Sequence, residues 1–346
     1  MKRIISLLLA ALLLALSLSS CQLGENKSKK TYNASFIQLF DTVTVIKGQE
    51  ESEAEFSRVS QELYDLIEKY HKLFDIYYEY SGINNLCTVN KHAGEAVKVS
   101  VELIDFLEFA KQLCLDCGGA VNIAMGSVLS IWHDRRTEGK TIPTVEELQA
   151  ANAHVDIEKV IIDREELTVT LLDPEMKLDV GAIAKGYTAS LAAKYLEDMG
   201  KEGYILSLGG NIVTVGEKEN GERWRLGIEN PFYSSGEGEE YLCRLELSGG
   251  YTLVTSGNYQ RYYTFDGKRY HHIIDPETLF PKNDFTLVSV VARDSGTADA
   301  LSTALFNMSV EEGKELLRSF GGAEAVWYTS NGEMIFSDGM SEFLID

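Results

Sequence analysis

The chain has 346 residues, 45% of them hydrophobic and 10% aromatic, which is typical of a folded globular protein and excludes a disordered one. Its formal net charge of −21 excludes a general surface for nucleic acid or anionic lipid, because such surfaces are basic. An anionic ligand would therefore need a local basic site.

The N-terminus has the features of an export signal. Lys2 and Arg3 precede an apolar run over residues 4–16, which is too short to span a bilayer comfortably. Leu18-Ser19-Ser20-Cys21 then resembles a bacterial lipobox. We predict a signal peptide over residues 1–20, lipidation of Cys21 and a flexible tether over residues 21–34. The alternatives are an ordinary secretory signal or a membrane helix. The prediction places the protein on the extracytoplasmic face of a bacterial cell membrane, held by its lipid.

The first half of the chain predicts one strand and then three helices. The strand is expected over residues 36–46. Apolar residues at helical spacing predict an amphipathic helix over residues 59–74 and a second helix over residues 101–117. A third helix begins at Thr144, because Glu147 three residues later completes a capping box.

The second half predicts antiparallel strands between further helices. Strands are expected over residues 160–162, 168–172, 175–178, 204–207, 212–215, 262–265, 268–274, 285–292, 325–328 and 333–336. Helices are expected over residues 182–199, from Ala298 and from Ser309. Asp266-Gly267 suits a two-residue hairpin turn. The pattern indicates an α+β fold, with mixed or antiparallel sheets and packed helices rather than regular βαβ alternation.

The most informative segment is LDVGAIAKGY, residues 178–187. It joins an expected strand to an expected helix, so its backbone N–H groups would favour an anion. Lys185 lies in the first helical turn, where the helix dipole disfavours a cation unless a phosphate shares the site. The alternative is an ordinary turn with a solvated lysine.

A second candidate is the helix that contains Asp299 and Thr303. These residues are four apart and therefore share a helix face. A carboxylate and a hydroxyl are hard oxygen ligands that suit Mg²⁺. The alternative is that Asp299 complements the helix dipole and Thr303 bonds a preceding carbonyl.

The cysteines predict no redox or zinc centre. Cys114 and Cys117 form a CxxC at the end of an apolar helix, without a second CxxC or a histidine pair to complete a zinc site. A disulfide framework is not expected.

Four strings together resemble the ApbE family, the FAD:protein FMN transferases. They are LDVGAIAKGY at 178–187, ADALSTA at 298–304, SGNYQRYY at 256–263 and HHIIDP at 271–276. LSLGGNI, from Leu206, is similar to a glycine turn of the family, to which we assign structural support. The resemblance covers residues 35–346, and it implies one catalytic domain of ApbE-like, T-fold-related architecture.

The resemblance also implies roles for individual residues. Asp299 and Thr303 would bind Mg²⁺, with the carbonyl of Ala182 as a further ligand, and Asp299 is counted as catalytic. His272 matches the family's candidate acid–base histidine, since imidazole titrates near neutral pH. The expected flavin-nucleotide contacts are Phe40, Tyr77, Ala120, Val121, Asn122, Asp179, Lys185 and Ile273.

Two of these regions depart from the family pattern. Phe40-Asp41-Thr42 stands where many members have Met-Gly-Thr, and Asn122 stands where many have aspartate. The amide removes a charge near the expected pyrophosphate. Tyr77 is assigned because its ring could stack on a flavin or adenine, and a core or surface role is the alternative.

The resemblance implies a Mg²⁺-dependent enzyme that takes FAD as a substrate. It would attach FMN through a phosphoester bond to threonine or serine of acceptor proteins, such as subunits of membrane redox complexes, and release AMP. No nucleic-acid partner is expected. Two alternatives remain open: a Mg²⁺-dependent FAD pyrophosphatase that forms FMN and AMP, and a flavin-binding lipoprotein without catalytic activity.

Overall fold

The computed structural model describes residues 28–345, which contain 16 strands and eight α-helices. The strands are β1 (Lys30–Ile37), β2 (Val43–Glu50), β3 (Ala96–Lys98), β4 (Val160–Asp163), β5 (Thr168–Leu171), β6 (Tyr204–Leu208), β7 (Asn211–Val215), β8 (Trp224–Glu229), β9 (Tyr241–Leu247), β10 (Thr252–Gly257), β11 (Tyr262–Phe265), β12 (Lys268–His271), β13 (Phe285–Ala292), β14 (Glu324–Thr329), β15 (Met334–Phe336) and β16 (Leu344–Ile345). The helices are α1 (Glu53–Phe74), α2 (Leu86–Lys91), α3 (Val101–Asp116), α4 (Gly126–Glu138), α5 (Val145–Asn152), α6 (Ala184–Asp198), α7 (Ser295–Asn307) and α8 (Val310–Phe320).

An eight-stranded sheet is the scaffold of the fold. Its order is β1-β2-β6-β7-β10-β13-β14-β15, and every neighbouring pair is antiparallel. Smaller sheets have the orders β3-β5-β4 and β16-β9-β8, and β11 pairs with β12 as a hairpin. All of these pairs are antiparallel as well.

Helices α6 and α7 connect the core to the site. Nearly every residue of α7 is buried, and its apolar side chains pack with those of β13, whose eight residues are all buried. The buried residues of α6 face both α7 and the apolar layer under α1 and β6. A polar side chain on α7 is therefore held in one place by packing on both sides.

The α+β class with antiparallel sheets is confirmed. The capping boxes that begin α5 and α8 are present, at Thr144 with Glu147 and at Ser309 with Glu312. Asp266 and Gly267 have φ of 48° and 72°, as a type I′ hairpin turn requires. Within residues 28–345, no helix combines the length and the hydrophobicity that a bilayer crossing needs.

Three local predictions are wrong. Residues 36–46 are not one strand, because β1 and β2 pair as a hairpin around a short 3₁₀ turn, Leu39–Asp41. The tether does not extend to residue 34, because β1 begins at Lys30 and pairs with β2 from that residue onward. Residues 175–178 form no strand, and Lys177 makes only an isolated bridge with Met125.

Candidate functional site

Asp299 and Lys185 meet where α6 packs against α7. Asp299 is 3% exposed, and its Oδ2 accepts a hydrogen bond of 2.8 Å from the backbone N–H of Gly186. Lys185 Nζ lies 3.4 Å from the same oxygen and also donates to the carbonyl of Gly181 at 3.2 Å. The contact requires glycine at 186, since a Cβ there would lie 2.1 Å from the backbone oxygen of Ser295.

The Asp299 carboxylate lacks enough positive charge among the residues that the structure describes. Burial raises the pKa of Asp299, and the ammonium of Lys185, the N–H of Gly186 and the Asn211 amide lower it only in part. The Lys185 ammonium, at 3.4 Å, makes a long ion pair with Asp299 that offsets the effect of burial only in part. The carboxylate therefore suits an additional cation.

Hydroxyl groups lie on the same helix as this carboxylate and on the strand packed against it. Thr303 follows Asp299 by one helical turn, and Ser256 of β10 lies with its Oγ 2.8 Å from Ser302 Oγ and 3.4 Å from Thr303 Oγ1. Residues 28–345 contain no cluster of three His, Cys, Asp or Glu side chains that could hold a metal. A metal at Asp299 would therefore also need hydroxyl, backbone or substrate oxygens, which are the donors that Mg²⁺ accepts. Thr303 and the Ala182 carbonyl, one residue after Gly181, fit that requirement.

The turn before α6 offers fewer free N–H groups than the sequence predicted. Asp179 Oδ1 accepts the N–H of Gly181 at 2.9 Å, and the N–H groups of Ile183 and Ala184 both bond to the carbonyl of Val180. The positive groups in this region are side chains instead, and Lys185 is one of them.

Basic side chains from two other elements face Asp179. Loss of hydration raises the pKa of Asp179, and His133 and Arg136 of α4 and Arg261, just before β11, lie close enough to lower it in part. Burial lowers the pKa of Arg136, and its Nη2 lies 3.3 Å from His133 Nδ1. In a chain of net charge −21, these guanidinium groups form a local basic site for an anion.

The two adjacent histidines have different environments. His271 is 1% exposed; its Nε2 donates to the carbonyl of Lys282 at 2.6 Å, and its Nδ1 accepts the N–H of Ile273. His272 is only partly buried, with Nδ1 3.3 Å from the carbonyl of Arg261. A carbonyl can only accept, so Nδ1 has the proton and Nε2 has a free lone pair.

Burial, and next the positive charge of Arg261, lower the pKa of His272 to about 3. The imidazole is therefore neutral at pH 7. A neutral imidazole with a free Nε2 can accept a proton, but with so low a pKa it is a weaker base than the near-neutral imidazole that the sequence predicted.

The turn between β1 and β2 has a strained backbone. Gln38, Phe40 and Asp41 have φ of 91°, 54° and 52°, a region that residues other than glycine rarely adopt. The Phe40 N–H donates to His71 Nδ1 at 3.3 Å, and Arg261 donates to the Asp41 carbonyl at 3.2 Å. Strain of this kind is concentrated at functional sites. Arg261 thus connects this turn to His272.

Tyr77 lies on the basic side of the site. Its hydroxyl is 3.2 Å from His133 Nδ1, and the residue is 51% exposed. Burial of the hydroxyl and the charge of Asp179 raise the pKa of Tyr77 to about 12, so the phenol stays protonated. An exposed ring beside basic groups is available for stacking.

The loop from Ala120 to Asn122 is hydrogen-bonded to helix α7. Asn307 of α7 donates to the carbonyls of Ala120 and Ile274 at 3.4 and 3.3 Å. Val121 and Ile273 are both buried, at 4% and 5% exposure. The loop and the segment after His272 are therefore bound to the same helix that contains Asp299.

The polar atoms of the Asn122 side chain are both used within the protein. Its Nδ2 donates to the Val155 carbonyl at 2.9 Å, and its Oδ1 accepts the N–H of Ala124 at 2.9 Å. The side chain therefore orders the loop, and any ligand contact at this residue would use the backbone.

Sequence reasoning missed four site residues, one of which is Arg261, inside the SGNYQRYY string but given no role. Arg136 and His133 lie on α4, which was not predicted, and two adjacent arginines in a strongly acidic chain were the available signal. Asn211 was assigned only to a structural turn. It is 1% exposed, its Nδ2 has no hydrogen-bond partner in the described residues, and it lies close enough to Asp299 to lower that pKa.

These features define an α+β enzyme domain. Its site combines a buried carboxylate that can bind a cation, several basic side chains and a neutral histidine. The sequence profile of the ApbE family matches residues 40–327. The chain belongs to the ApbE family.

Relatives and solved structures agree with this membership. An FAD:protein FMN transferase of Klebsiella pneumoniae (strain 342) is 33% identical over 301 residues, which cover 86% of this chain and 90% of that one. One of Treponema pallidum is 35% identical over 260 residues, 70% of each chain. The crystal structure of the ApbE protein of Thermotoga maritima aligns with a TM-score of 0.81 at 26% identity, covering 92% of this chain and all of that one. The structure of the flavin transferase ApbE of Vibrio cholerae aligns with a TM-score of 0.76 at 27% identity, covering 91% of this chain and all of that one.

Proposed function

We propose that this chain is a Mg²⁺-dependent FAD:protein FMN transferase. It attaches FMN through a phosphoester bond to threonine or serine of an acceptor protein and releases AMP. The observation that carries the proposal is the buried Asp299 carboxylate. It lies beside Lys185, accepts a hydrogen bond from the N–H of Gly186 on α6, and has a pKa raised by burial that these groups lower only in part. A non-catalytic flavin carrier has no need for such a carboxylate.

The oxygen donors and the basic side chains of the site have different roles. Asp299 and Thr303, with the Ala182 carbonyl, would hold Mg²⁺, and the metal would supply positive charge that neutralises the phosphates. Lys185, Arg136 and Arg261 bind the pyrophosphate oxygens and orient them.

His272 takes part in the transfer itself. The acceptor hydroxyl oxygen forms a bond to the phosphorus of the FMN half, and the bond between that phosphorus and the oxygen of AMP breaks. His272 accepts the hydroxyl proton at Nε2, and AMP leaves with the bonding electrons. Val121 and Ile273, both buried, exclude water from one side of the flavin nucleotide.

A peptide library tests the reaction. The protein is incubated with FAD, Mg²⁺ and a library of 20-residue peptides with a fixed central threonine, and peptide mass and AMP are followed together. Transfer predicts peptides that gain FMN and an equal amount of AMP. AMP without modified peptide would identify a pyrophosphatase, and bound FAD with neither product would identify a flavin-binding protein; both results contradict transferase activity.

We also propose that the protein is lipid-anchored at Cys21, on the extracytoplasmic face of the membrane. Residues 1–27 lie outside the described structure, so this proposal rests on the Leu18-Ser19-Ser20-Cys21 string alone. Growth with a radiolabelled fatty acid should label the wild-type protein and leave Cys21→Ser unlabelled. Equal labelling of both proteins, or no label in wild type, would contradict the lipid anchor.

A further inference from the structure

Strand β1 is an open edge of the eight-stranded sheet. Within the described chain it pairs only with β2, along its whole length from Lys30 to Ile37. Its outer backbone N–H and C=O groups are therefore available to another extended chain. Such an edge is the template for recognition by strand addition.

A groove of about 240 Å³ lies along this edge, between residues 32–36 of β1 and residues 53–61 of α1. We call it the edge groove. Small-molecule pockets occupy roughly 300–1,000 Å³, so this volume suits the side chains of a bound segment better than a whole ligand. A groove between an edge strand and a helix can receive alternate side chains of an added strand.

The floor of the edge groove contains an unsatisfied polar group. Ser60 is 4% exposed, and its hydroxyl has no hydrogen-bond partner among the described residues. A buried hydroxyl without a partner is costly in free energy. Tyr32 and Phe56, whose rings stack at 5.5 Å, provide apolar surface beside it. The groove therefore favours a bound segment with small or apolar side chains and one polar group that can reach the Ser60 hydroxyl.

The edge groove leads toward the candidate site. Ring contacts join β1 and the turn after it to α1 in the same order along the chain: Tyr32 with Phe56, Phe36 with Tyr64, and Phe40, in that turn, with His71. From residue 61 to residue 71 the helix rises about 15 Å. An extended chain covers that distance in about five residues.

The end of this path touches the candidate acid–base residue through two contacts. Arg261 donates to the Asp41 carbonyl, next to Phe40, and the carbonyl of Arg261 lies 3.3 Å from Nδ1 of His272. A chain bound along β1 would thus approach the site from the side of the strained turn.

We propose that β1 and the edge groove bind an extended segment of the acceptor protein, about five residues away from the hydroxyl that receives FMN. This inference rests on the proposed transferase function, which requires a polypeptide at the site. The segment adds to β1 as an antiparallel or parallel strand and places alternate side chains against Tyr32, Phe36 and Ser57. Glu53 lines the groove and the whole chain has a net charge of −21, so the segment is uncharged or basic.

The test fills the groove without changing the core. Ser57 and Gln61 are exposed on α1 and line the groove, so the double variant Ser57→Trp/Gln61→Trp occupies it. Ala54→Trp, exposed on the same helix outside the groove, is the matched control. The substrate is the best peptide that wild type modifies from the 20-residue library.

The double variant should raise KM for the 20-residue peptide at least tenfold and leave KM for FAD unchanged. Trimming that peptide to seven residues around its threonine should make wild type and double variant equal. Ala54→Trp should behave as wild type with both peptides. Equal KM values of wild type and double variant for the long peptide overturn the docking proposal.

Hydrogen exchange gives a second readout on the unaltered protein. The long peptide should slow exchange of the outward amides of β1, and the seven-residue peptide should not. Protection of the outward amides of β1 before any peptide is added would assign the edge to another part of the chain or to a second copy, and would overturn the proposal. If wild type modifies no library peptide, the transferase function itself is overturned. If wild type and double variant modify the long peptide equally well, only the docking proposal is overturned.

Discussion

Two neighbouring histidines show how the tertiary environment separates residues of the same type. Both have a lowered pKa because both lose hydration, to about 4 for His271 and about 3 for His272. His271 uses both ring nitrogens in backbone hydrogen bonds, whereas His272 keeps Nε2 free. Only His272 can accept a proton from a substrate.

Replacement of His272 by glutamine should therefore reduce FMN transfer by about 10²- to 10⁴-fold, the usual contribution of a general base. FAD binding should stay within about threefold, because the side chain acts on the acceptor proton. Transfer rate and FAD affinity are measured on the same preparation, and His92→Gln, at an exposed position, is the control. Wild-type transfer by His272→Gln would remove the histidine from the mechanism.

Asp299 should respond to metal in a way that does not depend on turnover. Without Mg²⁺, Asp299→Asn should unfold at the same or a higher Tm than wild type, because the amide removes a buried charge and its oxygen still accepts from Gly186. Saturating Mg²⁺ should raise the Tm of wild type by roughly 5 °C and leave that of the variant unchanged.

Differential scanning fluorimetry with and without Mg²⁺ makes this measurement. Asp163→Asn, an exposed carboxylate far from α7 in sequence, should keep the full response to the metal. An equal rise in the Tm of Asp299→Asn would show that Mg²⁺ binds elsewhere.

At the scale of elements, the close contact of α6 with α7 creates the site. Gly186 lets the backbone N–H of one helix reach the carboxylate of the other at 2.8 Å, and the same contact brings Lys185 to Asp299. The hairpin of β11 and β12 and the loop after α3 then approach from outside. The charges come from α4, α6, α7 and the residue before β11. The contact of α6 with α7 fixes two of them, Lys185 and Asp299.

Gly186→Ala should push these helices apart, since the new methyl carbon would lie 2.1 Å from the Ser295 oxygen and 2.6 Å from the Asp299 Cβ. The expected loss in the free energy of unfolding is about 1–3 kcal/mol, typical of overpacking. Urea unfolding measures this loss, and the Mg²⁺-dependent Tm shift should decrease in parallel.

The matched control for that experiment is Glu197→Ala, an exposed residue of the same helix. Its stability should stay within about 0.5 kcal/mol of wild type. If Gly186→Ala were as stable as Glu197→Ala, the tight helix contact would not be required.

At the scale of the whole molecule, buried neutral histidine links stability to pH. The unfolded state binds a proton at His271 near pH 6.5, and the folded state does so only near pH 4, because burial lowers the pKa. Between these values the unfolded state holds more protons, so stability is present above pH 6.5 and falls as pH decreases. The decrease attributable to His271 is about 3 kcal/mol on going to pH 4.

Urea unfolding at pH 7 and pH 4.5 tests this link. His271→Gln should be less stable at pH 7, because it loses the hydrogen bond to Lys282, and its stability should fall less steeply toward pH 4.5. His92→Gln should keep the slope of wild type. A slope in His271→Gln equal to that of wild type would contradict the link.

Much of the fold could be predicted because its signals are local. The capping boxes at Thr144 and Ser309 and the Asp266-Gly267 turn involve hydrogen bonds or φ values within four residues, which the residue types alone specify. The turn at residues 38–42 failed for the opposite reason. Its positive φ values fall on Gln38, Phe40 and Asp41, and no local preference predicts them, so the surrounding contacts of His71 and Arg261 must stabilise them.

The sequence by itself determined the α+β class, the family and the helix face shared by Asp299 and Thr303, because each depends on short-range spacing or on strings of adjacent residues. The tertiary structure alone decided which charges meet. It placed Arg136 and Arg261 against Asp179, turned the polar atoms of Asn122 inward, and left Nε2 of His272 free. Packing between different segments of the chain sets most of these distances, and local preferences contain little information about them.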